Sequence, residues 1–192
     1  KNALPNEIPQ MSVGLLLDES GSMCSCDRCT YARSSAIILY DFCKALHIPV
    51  TVYGHSTSGS SVELYSYAEF ESIDNDDKYR MMDIAARGSN RDGAALRFVA
   101  EQLVKRPEEV KILILVSDGQ PAAPGYYGSA AEEDLRGIRQ EYRRKGVLFI
   151  AAAIGEDKQN IERIYGDSFM DITDLNQLPV KLTAAVKRHM RV

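Results

Sequence analysis

The sequence lacks the features that mark several large classes of protein. Its 23 basic side chains are outnumbered by 27 acidic ones, and the net charge of -4 provides no basic face for nucleic acid or an anionic membrane. The longest apolar runs, such as residues 147–154, are far shorter than the roughly 20 residues that cross a bilayer. The first residues lack the signal-peptide pattern, in which a basic stretch is followed by an apolar one. The sequence also has no repeat or low-complexity stretch. We therefore expect a protein that binds neither nucleic acid nor a membrane.

Cysteine is scarce, with four residues, and three of them are crowded together as C-x-C-x-x-C at Cys24, Cys26 and Cys29. This spacing suits neither a disulfide scaffold nor the paired C-x-x-C knuckles of a structural zinc site. A metal or redox site could add Cys43 as a fourth thiolate, but an intervening helix would place it about 20 Å from Cys29. We interpret the cysteines as independent reduced thiols, which favours a cytoplasmic location.

The composition that remains is that of one ordinary globular domain. Hydrophobic residues make up 45% and charged residues 26% of the 192 positions. The chain begins with Lys1 rather than Met, so we expect a fragment of a longer protein. We assign residues 1–9 to an N-terminal linker and residues 10–192 to the domain.

Strand and helix patterns alternate along the whole chain. The predicted strands are residues 11–17, 49–54, 62–67, 110–116, 147–154 and 169–172. The predicted helices are residues 28–46, 76–86, 93–105, 130–145, 161–165 and 178–190. A Gly/Pro-rich loop is predicted over residues 120–129. The alternation indicates an α/β, doubly wound, Rossmann-like fold: a mainly parallel six-stranded sheet with helices on both faces and one antiparallel edge strand.

Oxygen-bearing side chains are concentrated in three loops of this predicted fold. The first loop reads Asp18-x-Ser20-x-Ser22, which sends all three side chains the same way if the segment is extended. Loops at the carboxyl ends of parallel strands meet where the strand order reverses, so we expect the three loops to converge. The second loop, residues 88–93, carries Ser89 and Asp92, and the third loop, residues 117–121, carries Asp118. The six candidate metal ligands are Asp18, Ser20, Ser22, Ser89, Asp92 and Asp118. The set contains no His or Cys and therefore favours Mg²⁺, with Mn²⁺ or Ca²⁺ as alternatives, over zinc.

Each motif alone has a simpler interpretation. The D-x-S-x-S motif at residues 18–22, taken alone, can cap a helix. The Ser-Asp-Gly motif at residues 117–119, taken alone, can form a turn. The three motifs in this order on an alternating chain favour the cation site.

The motifs resemble the metal-ion-dependent adhesion site of von Willebrand factor type A domains, and the order of elements matches that fold from about residue 10 to 190. The resemblance implies that Ser20, Ser22 and Ser89 contact Mg²⁺ directly. It also implies that Asp18 and Asp118 act through bound water. A site with only uncharged direct ligands leaves the ion able to take a carboxylate from a partner protein.

The ligand in the second loop stays open at this point. Ser89 stands where the family usually has Thr, and it keeps the hydroxyl. Asp92 lies on the same loop and could replace Ser89 or join it. A direct carboxylate from Asp92 would satisfy the ion and weaken its attraction for a partner.

Residues 17–23, 40–43, 88–93 and 114–119 are similar to the carboxy-terminal domain of the cobaltochelatase large accessory subunit and to nitric oxide reductase activation proteins. This resemblance implies a non-catalytic domain that works beside an AAA+ ATPase in metal chelation or metalloenzyme maturation, with an acidic residue of that partner completing the metal shell. Which of the two relatives is nearer stays open.

Two other functions compete with the binding module. A Mg²⁺- or Mn²⁺-dependent hydrolase would use the same ion with Glu19, Asp92 or His55 as its base. A scaffold with a degenerate site would bind no ion. The adjacent Tyr126 and Tyr127 fit either a protein contact or local packing.

Overall fold

The computed structural model describes residues 10–172, except 26, 72–75, 120 and 155–157, together with positions 177, 180, 181, 183 and 184. Its strands are β1 (Met11–Asp18), β2 (Val50–Ser58), β3 (Ser61–Ala68), β4 (Val110–Ser117), β5 (Ala122–Ala123), β6 (Tyr126–Tyr127), β7 (Val147–Ala153) and β8 (Phe169–Asp171). Its helices are α1 (Arg28–Ala45), α2 (Asp77–Arg80), α3 (Asp92–Val104), α4 (Gly128–Arg144) and α5 (Lys158–Tyr165). Short 3-10 turns occupy Gly21–Cys24, Met81–Asp83 and Gly166–Ser168.

The main sheet has the strand order β3-β2-β1-β4-β7-β8. Every pairing in it is parallel except that of β2 with β3, which is antiparallel. From β1 the chain winds outward in one direction through β2 and in the other through β4, so the strand order reverses between β1 and β4. The predicted six-stranded, doubly wound sheet with one antiparallel edge strand is confirmed.

The central strands are buried on both faces, as expected for parallel strands covered by helices. Leu15 and Leu17 of β1 belong to the apolar cluster that packs beneath α1, while Leu16 belongs to the cluster beneath α3, α4 and α5. Alternate residues of one strand therefore anchor opposite layers of helices. This double anchoring fixes the carboxyl ends of β1 and β4, where the candidate ligands begin.

Several predicted boundaries were wrong. Helix α5 begins at Lys158 rather than at residue 161, and three other differences have a clear physical reason. β2 continues past residue 54 to Ser58, because residues 55–58 pair with β3 in a hairpin that turns at Gly59 with a φ of +60°. The helix predicted over residues 76–86 is only α2 and a 3-10 turn, since the chain leaves helical geometry at Ile84, which is buried in the core. The loop predicted over residues 120–129 contains the β5–β6 hairpin, and α4 already begins at Gly128.

Two predictions fall on other parts of the chain. The predicted linker, residues 1–9, lies outside the described residues, and so does most of the predicted helix 178–190. None of the helices in the described part of the chain combines the length and the apolar character needed to span a membrane.

Candidate metal site

Asp18 connects the three predicted loops. It is the last residue of β1 and is buried. Its Oδ1 accepts a hydrogen bond from the backbone N–H of Ser20 at 2.8 Å. Its Oδ2 accepts one from the Ser117 hydroxyl and one from the Asn90 side-chain amide, each at 2.8 Å. Ser117 ends β4 and Asn90 lies in the loop before α3, so a single carboxylate ties all three loops together.

The hydroxyls of the first loop and the carboxylate of the third loop form a continuous chain of contacts. The Oγ atoms of Ser20 and Ser22 lie 3.0 Å apart. The Ser22 hydroxyl donates to Asp118 Oδ1 at 3.1 Å. The side chains of Ser22 and Asp118, which are 96 residues apart in sequence, are therefore in direct contact.

Hydrogen bonds from backbone N–H groups hold the second loop against the first loop and against β2. The N–H of Gly21 donates to the carbonyl of Gly88 at 2.7 Å, and the N–H of Ser89 donates to the Thr57 hydroxyl at 3.1 Å. A Cβ atom added to Gly88 would lie 2.0 Å from the Thr57 carbonyl oxygen, so only glycine fits there. This close approach places half-buried Ser89 beside the loop that carries Ser20 and Ser22.

Asp92, the other candidate in the second loop, faces a histidine. It is the buried first residue of α3, and its Oδ1 lies 3.1 Å from Nε2 of His55, which is also fully buried. The pair is within ion-pair distance, although its geometry is not that of a hydrogen bond. Burial lowers the pKa of His55, but Asp92, together with the charges of Asp18 and Glu19, outweighs it and raises the pKa overall. The Asp92 carboxylate is thus already engaged by an imidazole.

Burial also shifts the pKa values of Asp18, which ends β1, and Asp118, which follows β4. It raises the pKa of Asp18, and the charge of Asp92 adds to this, against the opposing effects of His55 and Ser20. Burial and the charge of Asp18 raise the pKa of Asp118, against the hydrogen bond from Ser22 and the charge of Arg28. Crowded, buried carboxylates of this kind are stabilised in their charged form by a bound cation.

The contacts of two charged residues at the site were not predicted: Arg28 was not a candidate, and Glu19 was considered only as a general base. The first is Arg28, the initial residue of α1, whose Nη1 lies 2.6 Å from Asp118 Oδ2. The second is Glu19, the residue directly after β1, whose buried Oε2 accepts from Arg87 Nε at 2.8 Å. Neither partner is near in sequence, so no local pattern connects them. The only signal for Arg28 was its place close behind the D-x-S-x-S motif.

Glu19 holds the segment that leads into the second loop. Its Oε1 accepts the Tyr67 hydroxyl at 2.6 Å, and its Oε2 also accepts the Ala85 N–H at 3.3 Å. The backbone N–H of Arg87 donates to the Glu19 carbonyl at 2.7 Å. A Cβ added to Gly54 on β2 would lie 1.7 Å from Glu19 Oε1, so the missing side chain at this glycine makes room for the Glu19 carboxylate.

The donor set fits a hard divalent cation. Hydroxyl and carboxylate oxygens converge here, and these are the ligands that Mg²⁺, Mn²⁺ and Ca²⁺ prefer. Within residues 10–172, leaving out the gaps given above, no three His, Cys, Asp or Glu side chains are grouped to hold a metal by themselves. Cys24, Cys29 and Cys43 are free thiols. A zinc-type centre therefore has no support among the described residues.

The two adjacent tyrosines have different environments. The Tyr126 hydroxyl donates to Asp134 at 2.8 Å, which is local packing against α4. Tyr127 is 69% exposed. The hairpin that carries both is joined to the second loop, because the Ala122 N–H donates to the Asn90 carbonyl at 3.1 Å. An exposed aromatic ring therefore lies on a hairpin attached to the candidate site.

The sheet order and the three converging loops define a von Willebrand factor type A domain, and solved structures agree. A von Willebrand factor type A protein from Catenulispora acidiphila matches with a TM-score of 0.59 at 18% identity, over 88% of this chain and 40% of that one. Proximal thread matrix protein 1 from the mussel byssus matches with a TM-score of 0.64 at 20% identity, over 93% of this chain and 47% of that one. At these identities the likeness concerns the fold.

The particular family follows from the sequence match. The model of the cobalamin biosynthesis protein CobT VWA domain matches residues 77–190, and the chain belongs to this family. The chain is 26% identical over 188 residues to YojO of Bacillus subtilis (strain 168), covering 91% of this chain and 29% of YojO. It is 34% identical over 97 residues to NorD of Brucella suis biovar 1, covering 49% of this chain and 15% of NorD. The chain thus spans less than a third of either relative.

Proposed function

We propose that this domain is a metal-ion-dependent protein-binding module. Its Mg²⁺ site uses the hydroxyls of Ser20, Ser22 and Ser89 as direct ligands, with Asp18 and Asp118 acting through bound water. Mn²⁺ or Ca²⁺ could take the same place. The observation that carries the proposal is the unbroken set of contacts from Ser20 through Ser22 to Asp118, with Asp18 bonded to both other loops.

The environment of Asp92 supports Ser89 as the ligand from the second loop. The Asp92 carboxylate lies 3.1 Å from the buried imidazole of His55, and it would have to give up this charge partner in order to reach the ion. Ser89 carries no charge and lies in the loop that Gly88 brings against Gly21. With neutral direct ligands the bound ion keeps its attraction for a further carboxylate.

The partner in this proposal is an AAA+ ATPase that presents an acidic side chain to the ion. The domain then serves as an accessory module in metal chelation or metalloenzyme maturation. Membership of the CobT VWA family and the similarity to NorD support this role. Tyr127 provides an exposed aromatic contact on the hairpin beside the site, and such residues are enriched where proteins meet.

The hydrolase alternative is disfavoured by the burial of its candidate bases. A general base must come within hydrogen-bond reach of the water or substrate it activates. Glu19 and His55 are fully buried, Glu19 is bonded to Tyr67 and Arg87, and Asp92 faces His55. We therefore propose a non-catalytic domain.

The site can be tested by calorimetric titration of the domain with MgCl₂. We expect one ion per chain, and at least about tenfold weaker binding in Ser22→Ala, which removes an exposed ligand hydroxyl at little cost to the core. Ser61→Ala, an exposed serine on β3, is the matched control and should bind like the wild type. Absence of heat in the wild type would favour the scaffold with a degenerate site.

The partner can be tested by a pull-down of the cognate AAA+ ATPase with and without EDTA. We expect capture that is lost in EDTA and restored by excess Mg²⁺. Ser22→Ala should capture less than Ser61→Ala. If neither EDTA nor Ser22→Ala reduced the amount of ATPase captured, the result would contradict an ion-mediated contact.

A further inference from the structure

Arg28 contacts the same carboxylate that the proposed ion requires. Its Nη1 lies 2.6 Å from Asp118 Oδ2, while Asp118 Oδ1 accepts the Ser22 hydroxyl at 3.1 Å. The same Nη1 is 3.5 Å from the Ser22 carbonyl oxygen. The guanidinium therefore bridges the first and third loops, and it contacts one carboxylate oxygen of Asp118 while the Ser22 hydroxyl contacts the other.

The Arg28–Asp118 pair is shielded from water. The side chain of Arg28 is 14% exposed and that of Asp118 is 5% exposed. Charge interactions are much less screened at such a site than on an open surface, where ion pairs contribute little. A fixed positive charge here neutralises part of the negative charge that would attract a cation, and it repels a divalent ion directly.

From these contacts we propose that Arg28 is a tethered cation that competes with the divalent ion for Asp118 and thereby weakens its binding. The inference rests on the metal site proposed above and adds the determinant of its affinity. Mg²⁺ binding must either displace the guanidinium from Asp118 or tolerate it nearby, and both reduce the affinity. A partner carboxylate offsets this cost because it returns negative charge to the ion, which links metal binding to partner binding.

The inference can be tested by removing the charge of Arg28 and titrating the purified domain with MgCl₂ and MnCl₂. Arg28→Gln keeps polarity, and Arg28→Met keeps the apolar stem, so that two independent variants report the same loss of charge. Arg28→Lys keeps the charge. Arg136→Gln is the matched control, because it removes an arginine that is ion-paired with Glu132 on α4 and changes the net charge equally.

We expect Arg28→Gln and Arg28→Met to bind Mg²⁺ at least about tenfold more tightly than the wild type, from the loss of a shielded charge beside the ion. Arg28→Lys should stay nearer to the wild type, and Arg136→Gln should equal it. The rise in Tm on adding MgCl₂ gives a second readout and should be larger in the two neutral variants.

The outcomes separate this inference from the proposed metal site. Equal or weaker Mg²⁺ binding in both neutral variants, beside clear binding in the wild type, would overturn the role of Arg28 and leave the metal site in place. Absence of binding in the wild type and in both folded neutral variants would overturn the metal site itself. Binding only in the neutral variants would support both, with Arg28 as the group that closes the site to the ion.

Discussion

Substitution of Gly88 by alanine should damage both the fold and the metal site. The added Cβ would lie 2.0 Å from the Thr57 carbonyl oxygen and 3.1 Å from Ser56 Oγ. The first of these atoms is backbone, so the strand or the loop must move. We expect this movement to strain two hydrogen bonds: the Gly88 N–H to Ser56 Oγ at 2.8 Å, and the Gly21 N–H to the Gly88 carbonyl at 2.7 Å.

The expected loss of stability follows from these contacts. Overpacking costs about 1–3 kcal/mol, and each weakened hydrogen bond adds about 0.5–1.5 kcal/mol, so we expect a loss of about 3 kcal/mol. For a chain of this length that corresponds to a fall in Tm of roughly 6–12 °C. Because the loop carries Ser89, Mg²⁺ binding should also weaken in the fraction that stays folded.

Urea unfolding followed by circular dichroism measures the first effect, and calorimetric titration with MgCl₂ measures the second. Gly137→Ala is the control, because Gly137 lies within α4 and an added Cβ meets no other atom within 4 Å. That change should stabilise the protein by about 0.5–1 kcal/mol. Unchanged stability and unchanged Mg²⁺ affinity in Gly88→Ala would refute the close contact between the second loop and β2.

Three further predictions concern the charged groups. Asp18→Ala should abolish Mg²⁺ binding and lower stability by about 3 kcal/mol in urea unfolding, because three donors lose their buried acceptor. Chelation by EDTA should lower the Tm of the Mg²⁺-loaded domain, and restoring Mg²⁺ to 100 times its Kd should return about 2.7 kcal/mol, measured by differential scanning calorimetry. As the pH is lowered from 7.5, Mg²⁺ binding in calorimetric titrations should begin to weaken above the pH at which ordinary aspartates take up a proton. The reason is that the pKa values of Asp18 and Asp118 are raised, so protons compete with the ion as the pH approaches those values.

Each of these three has a result that would contradict it. If Asp18→Ala were nearly as stable as the wild type, the carboxylate would not be what holds the three loops together. The control for this substitution is Asp41→Ala, on the exposed face of α1. An EDTA-insensitive Tm would mean that no stabilising ion is bound. A Mg²⁺ affinity that begins to fall only at about pH 3.9, where ordinary aspartates take up a proton, would contradict the raised pKa values.

The sequence predicted the sheet well because its central strands are continuous apolar runs. Residues 112–116 and 147–153 are uninterrupted apolar runs, which are typical of buried strands, and both lie in interior strands of the sheet. The second half of β2 was missed because His55 and the three residues after it are polar, which suggested that the strand had ended. Those residues are paired with β3 along their whole length, and such pairing is not visible in one segment alone.

The convergence of the candidate ligands could be predicted from topology, but their charge partners could not. The carboxyl ends of β1 and β4 must adjoin at the reversal of strand order, and this brings Ser22 and Asp118 together. Arg28 and Glu19 pair with residues 90 and 68 positions away, respectively. Which arginine reaches which carboxylate depends on side-chain direction in the folded domain, and no sequence spacing encodes it.

The bond between Asp18 and Ser117 joins residues 99 positions apart. During synthesis, a chain in which only β1, β2 and β3 have been made still lacks Ser117 and Asp118, so the candidate site is incomplete until β4 pairs with β1. We therefore expect the proposed site to acquire its ion late in synthesis and folding. Truncated or misassembled copies should then bind no ion at this site and should not engage the proposed partner.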